Sequence, residues 1–178
     1  MQYLLKITIK DTNCWRLIAV DGSADIAHVA QLIALAFDYE EGEQSFTVND
    51  KNISAGNGGR AIRTEELNTF DYLNLDTDDE FIYQHEKLAD LKHIVRIMKK
   101  EDHLFCLLPS CLVGSGLLPK DTTLNSETIN NYLDSDDMQS LDLREVTNRL
   151  RAFGSKRKDV NEAMVSAGAA PIVFKVGK

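Results

Sequence analysis

The chain has 178 residues, of which 43% are apolar and 27% charged, and its formal net charge is −8. That length fits one domain with an appended element, and its core needs neither a metal nor a disulfide to be sizeable. The acidic balance repels phosphate backbones at long range, so nucleic acid is not the default partner.

Tyr3, Leu5, Ile7 and Ile9 alternate with Leu4, Lys6, Thr8 and Lys10, the period of a strand with one buried face. Asp11-Thr12-Asn13 is turn chemistry, and residues 15–20 read as a second strand that closes an antiparallel hairpin. Over residues 24–37, Ile26, Val29, Ala30, Ile33 and Phe37 recur at helical spacing, with Ser23 as the expected cap. Trp15, Leu17, Ile26, Val29, Ile33 and Phe37 are expected to form one core cluster. Phe46 opens another strand, and residues 54–60, with three glycines, read as a flexible connector. Residues 81–83 and 93–98 give two further strands. Pro109 and the glycines that follow predict a bent connection over 109–116. A short helix is expected up to Leu133. A second, amphipathic one carries Leu143, Val146, Leu150 and Phe153 and stops at Gly154. Residues 159–167 read as another helix and 172–176 as a final strand.

Cys14, Cys106 and Cys111 are odd in number and form no CxxC pair, which fits reduced thiols in a cytoplasmic protein. Residues 1–10 lack the continuous apolar run of a signal peptide. Residues 104–118, the most apolar stretch, are too short and too broken for a bilayer span.

The order of these pieces resembles the plasmid pRiA4b ORF-3-like family. The matching positions are Trp15-Arg16 in the first hairpin, the helix with His28, and Phe37-Asp38-Tyr39 after it. Phe81, Tyr83, His93 and Val95 match an aromatic-rich strand leading to a histidine. Pro109, Cys111, Gly114, Gly116, Pro119 and Asp121 match a proline-x-cysteine, glycine-x-glycine and acidic-turn sequence, and Tyr132-Leu133 the helix beyond. The resemblance covers residues 3–134. It implies a compact α+β domain met near plasmid or mobile-element genes, and no particular activity. The chain departs from the family at His85-Glu86-Lys87-Leu88-Ala89, at Leu91, and at Glu43-Gln44-Ser45, where relatives carry acids, a tryptophan and histidines. If relatives use those acids and histidines to bind a metal, this chain lacks several of the candidate ligands.

The histidines His28, His85, His93 and His103 show no HxH or HxxxH spacing, and no motif implies a cofactor. His28, His85 and His93 could still converge in a polar pocket, the one route to a metal-dependent enzyme. Cys106 and Cys111 lie near His103 but carry no nucleophile signature. Acid clusters at residues 76–80 and 134–137 read as solvated loops. Arg144, Arg149, Arg151, Lys156, Arg157 and Lys158 follow an acidic run and form a candidate contact surface for an acidic partner.

The sequence thus predicts an α+β fold in which a mainly antiparallel sheet packs on one central helix, a grasp-like roll. Residues 1–134 would form the domain and 135–178 a helical extension packed on it. The functional expectation is a non-catalytic binding or accessory module with a protein partner or a second copy. A nucleic-acid-associated accessory protein of a mobile element and a metal-dependent enzyme are the alternatives.

Overall fold

The computed structural model describes residues 1–120 and 122–168, with the side chains of 155–164 left aside. Seven strands run β1 (Gln2–Ile9), β2 (Trp15–Asp21), β3 (Glu43–Val48), β4 (Lys51–Asn57), β5 (Glu80–His85), β6 (His93–Glu101) and β7 (Ser110–Ser115). They form one sheet in the order β4-β3-β5-β6-β1-β2-β7, and every neighbouring pair is antiparallel. Three helices, α1 (Ile26–Ala36), α2 (Ser126–Leu133) and α3 (Leu143–Ser166), lie at its periphery.

This corrects the expected roll on one central helix. A single antiparallel sheet dominates, and α1 is not alone on it, because α3 packs against both α1 and β7. The single apolar face of each strand is buried by the sheet's own breadth together with two helices, so no single helix has to serve as the centre.

The core follows from alternation. In β1, Tyr3, Leu5, Ile7 and Ile9 are buried and their neighbours half-exposed. In β2 the phase is the reverse of the expected one. Arg16, Ile18 and Val20 point inward, whereas Trp15 and Leu17 lie half-exposed on the outer face, where Lys6 Nζ sits 5.0 Å from the Trp15 ring centroid. Trp15 and Leu17 therefore leave the predicted cluster, while Ile26, Val29, Ile33 and Phe37 belong to it. A one-residue error of phase moves every side chain of a strand to the other face.

Helix α1 carries no charged residue and is buried at every position except Leu35. Asp25 rather than Ser23 caps it, accepting the His28 N–H at 2.5 Å. Asp38 in the left-handed region turns the chain off its end.

Residues 110–115 form an edge strand rather than a bent connection. Its outer polar groups are met by α3: the Cys111 N–H donates to Thr147 Oγ1 at 3.0 Å, and the Thr147 hydroxyl donates to Cys111 O at 3.2 Å. A helix laid along an edge strand removes its capacity to pair with another chain. Gly154 does not end α3. An internal glycine costs about 1 kcal/mol but stops a helix only when it turns left-handed, and Gly154 has no positive φ. The helix expected at 159–167 is the continuation of α3. The strand expected at 172–176 lies outside the described residues. No helix among the described residues is long and apolar enough to cross a membrane.

Val146 and Leu150 are fully buried, and Leu143 and Phe153 pack half-buried beside them. Leu150→Ala should lower unfolding stability by ~2–5 kcal/mol in urea titration. A loss below about 0.5 kcal/mol would show that α3 is not docked on the body.

Candidate functional site

Arg16 is the largest fully buried side chain among the described residues, at 1% exposure. Its position in β2 aims it inward between Cys14 and Ile18. Its Nε donates to Ala36 O at the end of α1 at 3.0 Å, and its Nη1 donates to Trp15 O and Ser115 O, each at 2.9 Å. The guanidinium carbon stands 4.8 Å from the Phe37 ring centroid, a cation–π contact. Gly114 stands opposite Arg16 in β7, and a Cβ there would come within 3.1 Å of Arg16 Cδ and 2.9 Å of Leu141 Cδ2. The missing side chain is what lets the guanidinium reach Ser115 O. No carboxylate pairs with Arg16 among the described residues, and burial pulls its pKa down.

Beyond Phe37 the chain doubles back at Asp38, so that Tyr39 stacks on Phe37 with centroids 5.5 Å apart. Tyr39 Oη and His93 Nε2 share a hydrogen bond of 2.8 Å. His85 lies on the other side of Tyr39, at 5.9 Å between centroids. Its Nε2 is 3.0 Å from Glu40 O, and the Lys87 N–H reaches its Nδ1 at 3.3 Å. A carbonyl only accepts and an amide only donates, so His85 is neutral with its proton on Nε2.

An open cleft runs over this group. One lobe of about 250 Å³ is lined by Arg16, Phe37, Leu118, Leu141 and Val146. The second, of about 560 Å³, is lined by His85, Lys87 and Asp90. Asp38, Tyr39, Pro119, Lys120 and Leu124 border both lobes.

Burial holds the titratable groups in their neutral forms. It pushes the Tyr39 and Tyr83 phenols well up and raises the Cys14 and Cys111 thiols. It pulls His85 down, and it takes His93 to about 3, with the Tyr83 backbone opposing the shift. A thiol raised by burial is a poor nucleophile. Among the described residues no group of three or more His, Cys, Asp or Glu is placed to hold a metal.

Of the three histidines expected in a polar pocket, His85 and His93 flank Tyr39. His28 instead stacks on Phe153 of α3, at 4.7 Å between centroids. Of the expected contact cations, Arg149 is used internally. It donates from Nε to Leu35 O at 3.1 Å, and its Nη1 lies 3.5 Å from Asp38 and 3.3 Å from Glu145. Arg151 donates to Ser110 Oγ at 2.9 Å and to Pro109 O at 3.4 Å. Arg144 is exposed, and the side chains of Lys156, Arg157 and Lys158 lie outside the described residues. Arg16 and Tyr39, the centre of the arrangement, were missed as site residues. A charged residue in phase with Cys14, Ile18 and Val20 was the available signal.

The fold is shared with a protein of unknown function. That crystal structure, from Methanosarcina mazei Go1, aligns with a TM-score of 0.56 at 18% identity, covering 81% of this chain and 96% of the other. At that identity the likeness concerns the fold alone. No family model matches the chain, and no curated protein matches it.

Neutral His93 is the form that the fold holds. Its folded pKa lies below the ordinary 6.5, so its contribution is fully present above pH 6.5 and is lost as pH falls toward about 3. His85 acts in the same direction. Unfolding stability should fall by about 2 kcal/mol between pH 7 and pH 5. His93→Gln should remove most of that slope in urea titrations at the two pH values. An unchanged slope would place the pH dependence elsewhere.

Proposed function

We propose that the protein is a non-catalytic binding module whose ligand site is the cleft over Arg16, Tyr39 and His85. The observation that carries this reading is the protonation pattern. Tyr39 and His85, which line the cleft, and His93 and Cys111, buried near them, are all driven toward neutrality. A general base works best with a pKa near the operating pH, and a cysteine nucleophile needs a depressed one. Groups held neutral instead offer a pocket defined donors and acceptors. Rings at Phe37 and Tyr39 with leucines opposite, and a few fixed polar groups, are the make-up of a small-ligand pocket.

The nucleic-acid alternative is weaker. Arg149 and Arg151 are engaged with backbone carbonyls and side chains of the domain itself. Those bonds hold both side chains against the domain and leave each only part of its donor set for a phosphate.

The test is a fragment library screened by two-dimensional amide NMR on the whole chain. Fragments should perturb Tyr39, Lys87 and Leu124 together and be recovered chemically unchanged. Hits confined to other surfaces, or fragments consumed on incubation, would overturn the reading.

A further inference from the structure

We infer that the Arg16 lobe of the cleft receives the carboxylate of a small monoanionic ligand with an apolar body, a specification that rests on the binding reading above. The guanidinium has five N–H donors. Nε and Nη1 are spent on Ala36 O, Trp15 O and Ser115 O, with Cys14 Sγ 3.9 Å from Nη1. Nη2 has no hydrogen-bond partner among the described residues, and Arg16 stands in the wall of the cleft. A buried arginine that lines a cavity, with no carboxylate on it and one amino group unpartnered among the described residues, is suited to receive an anion.

The charges around it select the kind of anion. Asp38 and Glu145 are met by Arg149. Asp142 accepts the Arg144 and Glu145 N–H groups at the start of α3. Lys120 forms no ion pair among the described residues and, like Arg16, lines the lobe. Two cations are therefore left without a counter-charge among the described residues, yet three carboxylates stand nearby. A dianionic phosphate would need more free donors than Nη2 provides and would be repelled by those acids. A single carboxylate is matched. Phe37, Leu118 and Leu141 then supply the surface for an apolar body, and a lobe of about 250 Å³ has room for a single ring.

The probes are phenylacetate and its neutral isostere phenylacetamide, titrated into the whole chain and followed by the Arg16 Nε–H, Tyr39 and Leu124 signals. Phenylacetate should bind at least tenfold more tightly than the amide, and inorganic phosphate should leave the signals in place. Lys120→Glu, an exposed substitution that leaves folding intact, should weaken phenylacetate at least fivefold. Arg16 variants risk unfolding and are not needed. Acid and amide bound equally in the cleft, or phosphate bound as tightly as phenylacetate, overturn the carboxylate assignment and leave the binding reading standing. The same holds if neither probe binds while other fragments from the screen occupy the cleft. If no compound of any class binds there, both fall.

Discussion

The fold turns on a positive charge held inside it. The Arg16 guanidinium ties the inner face of β2 to the last turn of α1 through Ala36 O and to the edge strand β7 through Ser115 O, and it carries the Phe37 ring on its face. Removing an unpaired charge from water costs several kcal/mol. Charge-assisted hydrogen bonds return about 1.5–3 kcal/mol each, and a desolvated cation–π contact about 2 kcal/mol. Those terms offset the cost only if every partner keeps its place. The end of α1, the Phe37–Tyr39 return and the glycine at position 114 are consequently constrained together, and the cleft that forms over them is rigid at its floor.

The C-terminal helix completes that arrangement. Thr147 closes the polar edge of β7, Arg149 caps the α1 carbonyl at Leu35, and Arg151 holds the turn at Pro109 and Ser110. Arg149 and Arg151, two of the cations expected to face an acidic partner, are fasteners between elements. Their long apolar stems and forked donors suit them to that work.

The sequence made legible the elements whose signal is local. The alternation of β1, the stripe of α1, the strands at 80–85 and 93–101 and the face of Leu143, Val146 and Leu150 all follow from periodicity. The rest depends on contacts between distant segments. In β2 the large side chains Trp15 and Leu17 suggested the wrong face, because hydrophobicity was weighed above phase with Ile18 and Val20. Strand β7 was hidden because its pairing comes from β2 and its edge from α3, neither adjacent in sequence. One continuous sheet cannot be told from a roll by strand patterns, which are the same in both. At the site, His85 and His93 were visible as candidates, whereas Tyr39, which joins them, and Arg16, which underlies the cleft, stood out only as positions of the family resemblance, with no role attached.

The proposed binding role rests on a buried cation with a spare donor beside the Phe37 and Tyr39 rings. The most direct measurement is a crystal structure of the protein grown with phenylacetate. The account predicts the carboxylate within hydrogen-bond distance of Arg16 Nη2, with Nε and Nη1 still on Ala36, Trp15 and Ser115. An Arg16 whose Nη2 is occupied by a protein carboxylate or carbonyl, with phenylacetate bound elsewhere, would contradict it.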